Sequence, residues 1–294
     1  MTASPPPPGA PRTCYRHSGR ETGVSCTRCA RPICPDCMVE ASVGFQCPNC
    51  VAAGRRATRP ARTAFGGRAV SKPYVTWTIL VLMAGGYLAQ LATAMGAAGS
   101  SPLVWEFGML GFGVTEWGER LGVLNGEWYR LITAAFLHGG IFHLLFNGYA
   151  MYLLGTQLER WLGHGRFVAL WVLGAVAGSV LTTLVEPQGF AVGASGAIFA
   201  LFGAVFVIGR RLRLDLRMVG ALLAVNLVLT FVVPNISWTA HIGGLVAGLV
   251  LGAVFAYLPG RDAGATTRTT VHTLVTAAFA ALLVVLLLVV PGLL

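Results

Sequence analysis

From Val75 onward, long apolar runs alternate with short polar breaks. The runs predict seven membrane-spanning helices, at about 75–95, 141–161, 166–185, 195–209, 217–233, 238–258 and 272–291. A hydrocarbon core of about 30 Å needs about 20 helical residues. The fourth run falls short of that, which is tolerable where protein or a water-filled cavity surrounds its end. The stretch 96–140 between the first two runs is long and mixed, and carries Trp105, Phe107, Phe112, Trp117, Trp128 and Tyr129. Aromatics of this kind favour the membrane interface, so a partly embedded hairpin is expected there. Before residue 74 the apolar runs are missing. Residues 1–12 are Pro-rich and expected to be disordered. Residues 13–53 form a small cysteine-rich domain, 54–73 a basic linker, and 74–293 an all-α polytopic membrane domain.

Composition supports the membrane reading: 55% of residues are hydrophobic, 11% are charged, and mean hydropathy is +0.69. A net charge of +10 raises the question of nucleic acid, but the arginines collect in the N-terminal region and in short loops, where they set orientation in the bilayer. Nucleic acid is therefore not an expected partner. With the N-terminus in the cytoplasm and the C-terminus outside, 19 of the 21 Lys and Arg residues lie on the cytoplasmic side. The first residues have neither the basic start nor the apolar core of a signal peptide. A multi-pass protein of the cell membrane is expected.

All seven cysteines precede residue 51, in the pairs Cys14-x2-His17, Cys26-x2-Cys29, Cys34-x2-Cys37 and Cys47-x2-Cys50. Eight soft or borderline ligands suit two closed, four-ligand zinc sites. An odd number of cysteines and the C-x2-C spacing argue against a disulfide framework. So small a unit has too little core to fold unaided, and metal supplies the missing stability. The pairs resemble a B-box-type zinc finger. That resemblance implies interleaved pairing, with Cys14, His17, Cys34 and Cys37 on one ion and Cys26, Cys29, Cys47 and Cys50 on the other; sequential pairing stays open. Two structural zinc ions are expected, with no cofactor for catalysis, and a cytosolic protein partner of this domain is possible. Residues 54–72 would lie beside an anionic membrane surface.

In the expected orientation, runs two, four and six all pass from outside to inside, and each has polar residues near its outer start: His143 and Asn147, Ser195, and His241. His143 and Asn147 are four apart and share a helix face. Polar side chains are costly in a bilayer, so their common depth marks a candidate site. Taken singly, each fits interhelical hydrogen bonding, which is also the role expected of Asn226 in run five. Together they fit catalysis. Ser195, in the first turn of a helix between Gly193 and Gly196, is the candidate nucleophile and His241 its general base. Asn147, His143 and the Ser195 main-chain N–H form a candidate oxyanion hole. No Asp or Glu lies in any span core, which excludes a two-aspartate intramembrane protease, and no H-E-x-x-H motif is present for a zinc protease.

At this point the sequence resembles the rhomboids, intramembrane serine proteases. The resemblance covers roughly 74–258 and rests on His138-Gly-Gly-Ile-Phe-His143-Leu-Leu-Phe-Asn147, on Gly193-Ala-Ser195-Gly196 and on Ala240-His241-Ile-Gly243-Gly244. It implies a six-helix bundle, with the seventh helix as an extra. It makes His138 a structural histidine of the loop and packs Phe199, where many members have Tyr, against the His241 ring. Trp128-Tyr129-Arg130 stands where the family has a Trp-Arg motif, a small departure. Gly244, Gly248 and Gly252 form a line of small residues expected to let run six approach run four near Gly196 and Ala200.

The expected activity is hydrolysis of peptide bonds in transmembrane protein substrates, near the outer face of the lipid bilayer, by the Ser195–His241 dyad. Access is expected from the side, past Phe231 and Trp238. The alternative is a catalytically inactive rhomboid-like module that binds membrane proteins, with the zinc finger recruiting a partner.

Overall fold

The structure, a computed structural model, describes residues 12–58, 61–94, 101–234, 236–260 and 262–289. The Pro-rich tail expected over 1–12 lies outside the described residues except for Arg12. Two compact units divide at Pro60 and Ala61.

In the first unit, β1 (Thr13–Cys14) pairs antiparallel with β2 (His17–Glu21), β3 (Val39–Glu40) pairs with β4 (Phe45–Gln46), and α1 (Pro48–Ala57) follows. Pro48 opens α1 where its missing N–H costs nothing, and the Cys47 sulfur caps the turn by accepting from the Cys50 N–H at 3.4 Å. The buried core is five cysteines and Ile33. So small an apolar core cannot hold the unit closed by burial alone.

The second unit is helical. Apolar helices stand at all seven expected places: α2 (Tyr74–Thr93), a rod beginning at Ile141, then α7 (His164–Val185), α8 (Ser195–Arg211), α9 (Arg217–Val232), α10 (Trp238–Tyr257) and α11 (Ala265–Val289). Four are long and apolar enough to cross a membrane, namely α2, α7, α10 and α11. The second-run rod, α5 (Ile141–Ala150), a π-helical turn (Met151–Gly155) and α6 (Thr156–Leu162), passes that test together with the short helical segment Arg130–Phe136, at 100° to it. Helices α8 and α9 have 17 and 16 residues, about 25 Å each at 1.5 Å per residue.

The stretch between α2 and α5 is folded rather than loose. It contains α3 (Pro102–Phe107), β5 (Met109–Leu110), the hairpin of β6 (Gly113–Val114) and β7 (Arg120–Leu121), and α4 (Arg130–Thr133). β5 pairs antiparallel with β8 (Phe190–Ala191), which ties this stretch to the segment leading into α8. The residues expected to be a basic linker are ordered where described. Residues 54–57 end α1. In the second unit Phe65 is buried, and its carbonyl accepts from Arg166 Nη1 at 2.7 Å.

Helices α7, α8 and α10 form the centre. Twelve of the 17 residues of α8 are buried. The close approach comes from missing side chains. A Cβ on Gly244 would overlap the Gly196 carbonyl, one on Gly248 would lie 2.6 Å from the Ala200 carbonyl carbon, and one on Gly252 would lie 2.8 Å from the Ala204 Cα. On the other side of α10, a Cβ on Gly243 would lie 3.0 Å from the Gly178 Cα of α7. Helix α9 is peripheral and buries one residue, Thr230.

One expectation changes here. Asn226 does not bridge helices: its amide donates to the Leu222 carbonyl of its own helix at 2.8 Å. Glu159, in the last turns of the second-run rod, is fully buried. Its carboxylate accepts from the N–H groups of Val75 and Thr76 at 3.0 and 2.8 Å and from the Thr76 hydroxyl at 2.6 Å, and meets His164 Nδ1 at 2.5 Å. It thereby caps α2, whose first N–H groups have no partner within the helix.

Candidate functional site

The G-A-S-G stretch becomes a tight turn into α8. Gly193 has φ +122°, in the region that favours glycine, and its N–H donates to the Ala134 carbonyl at 2.9 Å. Ser195 opens the helix, and the first helical bond runs from the Ile198 N–H to the Ala194 carbonyl at 3.0 Å. The N–H groups of Ser195, Gly196 and Ala197 have no main-chain partner among the described residues. A helix start of this kind favours negative charge.

Over that turn lie the two polar residues of α5. A Cβ on Gly193 would be 2.7 Å from His143 Cε1 and Nε2, so the His143 ring occupies the space its missing side chain leaves, and Asn147 Nδ2 lies at ordinary contact distance, 3.7 Å from that position. His143 Nδ1 accepts from the Gly139 N–H at 3.3 Å. The neutral ring therefore carries its proton on Nε2, the atom facing Gly193. Asn147 donates one amide proton to the His143 carbonyl at 3.0 Å, which leaves the second free. Several N–H donors thus converge beside Ser195, a geometry suited to holding an oxyanion.

His241, in the first turn of α10, is 7% exposed. Its ring stacks on Phe199 with centroids 4.1 Å apart and planes 17° apart. Nδ1 lies 2.6 Å from the Thr230 hydroxyl oxygen. Beside it, α8 and α10 touch where Gly244 meets Gly196. The hydrogen bond expected between Ser195 and His241 is not formed: no side-chain bond of Ser195 is present among the described residues, and the ring's one side-chain partner is Thr230. His138 is 1% exposed and packs edge-on against His143 at 5.2 Å.

Residues beyond the sequence reading support this arrangement. Gln90 of α2 accepts from the His138 N–H at 2.9 Å and donates to its carbonyl at 3.0 Å, clamping the main chain ahead of α5. Arg130, 2% exposed, donates to the carbonyls of Trp105 and Gly108 at 2.6 and 2.8 Å and pairs with Glu127 at 2.7 Å. This fixes the stretch bearing Trp128 and Tyr129. Glu186 accepts from Trp238 Nε1 and from the Thr239 hydroxyl, tying the end of α7 to the start of α10. Threonine and glutamine carry no motif. The signal that could have found Gln90 is a polar residue late in an otherwise apolar run.

In the first unit the eight ligand residues gather as two interleaved sets, Cys14, His17, Cys34, Cys37 and Cys26, Cys29, Cys47, Cys50, with ligand atoms within 4.8 Å of one another. Sequential pairing, left open by spacing, is not the arrangement seen. The thiols titrate unequally. Burial pushes Cys14 and Cys26 up, but surrounding main-chain N–H groups, from Cys34 to the first and Cys47 to the second, outweigh it and bring both down to about 6. Burial and the sulfurs of Cys14 and Cys34 push Cys37 up to about 11. Sulfurs this crowded cannot all ionise without a cation among them, and each set can hold a structural metal ion.

The fold defines a multi-pass helical membrane protein preceded by a small Cys/His metal-binding unit. Comparison with known proteins makes the class specific. A family model described as "Rhomboid domain" matches residues 125–258. The chain is 42% identical over 143 residues to "Putative rhomboid protease YdcA" of Bacillus subtilis (strain 168), covering 47% of this chain and 72% of that one. It is 39% identical over 140 residues to "Rhomboid protease GluP" of the same organism, covering 46% of this chain and 27% of that one. It is 36% identical over 150 residues to "RHOMBOID-like protein 5" of Arabidopsis thaliana, covering 48% of each. The chain belongs to the rhomboid family.

Proposed function

We propose that this protein is an intramembrane serine endopeptidase that cuts transmembrane protein substrates near the outer face of the membrane. The observation that carries the reading is the convergence at the start of α8: unpaired main-chain N–H groups around Ser195, with His143 and Asn147 over Gly193. Ser195 Oγ attacks the scissile carbonyl while His241 Nε2 takes its proton. The carbonyl oxygen gains negative charge and is held by the Ser195 N–H, His143 Nε2–H and the free Asn147 amide proton. His241 then gives the proton to the leaving amine, and water, activated by the same ring, hydrolyses the acyl-enzyme.

A helical substrate hides its carbonyls in hydrogen bonds, so the bond must be presented extended. Small residues beside it and helix-weakening Gly or Pro in the substrate span should favour cutting. The charge asymmetry supports a cytoplasmic N-terminus and an outer C-terminus. The Cys/His unit then lies in the reducing cytosol, and its all-Cys/His donor sets suit zinc. It is free to bind a cytosolic protein.

The test is covalent labelling of purified protein by a serine-reactive fluorophosphonate, with cleavage of a single-span model substrate in parallel. Wild type is expected to take the label and to cut. Ser195→Ala and His241→Ala should do neither while remaining folded. Labelling or proteolysis that survives in Ser195→Ala would refute the nucleophile, and an unlabelled, inactive wild type would favour the non-catalytic binding module instead.

A further inference from the structure

Thr230 is 3% exposed and is the only residue that α9 buries among the described residues. Its hydroxyl oxygen lies 2.6 Å from His241 Nδ1 and 2.7 Å from the main-chain carbonyl of Asn226, one turn earlier in the same helix. Both distances are those of good hydrogen bonds. A hydroxyl has one proton to give, and a carbonyl can only accept. If the proton pointed at Nδ1, the hydroxyl and carbonyl oxygens would face each other as two acceptors at 2.7 Å. Only one arrangement makes both contacts bonds: the Thr230 hydroxyl donates to Asn226, and His241 Nδ1–H donates to the Thr230 oxygen.

We propose that Thr230 is a positioning residue for His241, holding the ring in the tautomer with its proton on Nδ1 and its lone pair on Nε2. That is the form able to accept the Ser195 proton, so the inference rests on the protease reading and deepens it. Phe199 fixes the plane of the ring by stacking, and Thr230 fixes its rotation within that plane. Two ring nitrogens with free choice of proton would leave the base unusable part of the time. Among the described residues no carboxylate is bonded to His241, so the hydroxyl does the orienting work that an acid does in a three-residue triad. It does so without bringing a second charge into an apolar site, and it keeps accepting from Nδ1–H when the ring becomes imidazolium.

The experiment compares wild type, Thr230→Val and Thr230→Ser. Valine keeps the shape and removes the oxygen; serine keeps the oxygen. Thr230→Val should lower kcat about 10-fold to 100-fold with KM little changed, the range expected for losing one hydrogen bond to a group that becomes charged. Thr230→Ser should restore kcat to within about threefold, since the bond itself is retained. A nitrogen-15 spectrum of histidine-labelled protein, assigned by comparison with His241→Ala, should show a protonated Nδ1 and an unprotonated Nε2 in wild type and in Thr230→Ser. A wild-type spectrum with the proton on Nε2 overturns the proposal, and it does so even if Thr230→Val fails to fold. So does a folded Thr230→Val with wild-type kcat, or a Thr230→Ser as impaired as valine. Wild type that neither labels nor cuts defeats the protease reading itself, and the positional role with it. A labelled, active wild type with an unaffected Thr230→Val defeats the role of Thr230 alone.

Discussion

Asn147 commits one amide proton to its own helix and keeps the other over Gly193. If that proton meets the oxyanion, it acts in the transition state and little in the ground state. Asn147→Ala should then lower kcat by about 10-fold to 10³-fold with KM little altered. An unchanged kcat in the cleavage assay would return Asn147 to packing. Residues of this kind were legible because a polar side chain in an apolar run is costly and stands out. Thr230 was not, for the same physical reason turned around. A threonine in a helix satisfies its hydroxyl on the carbonyl four residues back, so its presence in a span costs little and signals nothing. Its second bond, to a histidine on another helix, exists only in three dimensions. Glu159 was hidden differently. It lies close to the end of its run, where a charge is ordinary, and nothing local to it announces the α2 terminus it caps.

Among the elements, the apolar runs located all seven helices, because run length and hydropathy dominate in a bilayer. The last helix starts at Ala265 rather than near 272. Its first turns hold four threonines and Arg268, and the Thr269 hydroxyl donates to the Ala265 carbonyl within the helix, so polarity concealed a regular start. The ladders of β5 with β8 and β6 with β7 escaped detection because two-residue strands are too short to show alternation. Cysteine spacing found the ligands of the metal unit but could not sort them, since either pairing closes on the same C-x2-C steps. In the interleaved arrangement each ion, if bound, would join one pair from early in the unit to one from later, so losing either would release both halves. Metal analysis of protein purified under reducing conditions, without chelator, is expected to find two zinc ions per chain. Chelation should unfold the unit and leave fluorophosphonate labelling of Ser195 unchanged. Fewer than two ions, or loss of labelling on chelation, would overturn one half of this each.

At the scale of the whole molecule, the charge asymmetry and the buried trio α7, α8 and α10 give the protein a fixed polarity: the proposed chemistry at one end of α8, arginines at the other. Arg210 and Arg211 stand in its last turn, and Ser195 begins it, about 25 Å away. A rod of fixed length with a charged foot is a ruler. In the proposed orientation it would set the height of the serine above an arginine-lined surface, independently of the lipid chain length above the serine. If the proposed activity and orientation hold, the cut would be measured from the arginine-bearing face and made near the opposite one. Moving the basic residues that anchor a substrate span by one helical turn, about 5.4 Å, should move the cleavage site mapped by mass spectrometry by about four residues. Changing the acyl-chain length of the vesicles should leave it in place, and a cut that followed the lipid instead would show that the outer surface holds the zero mark.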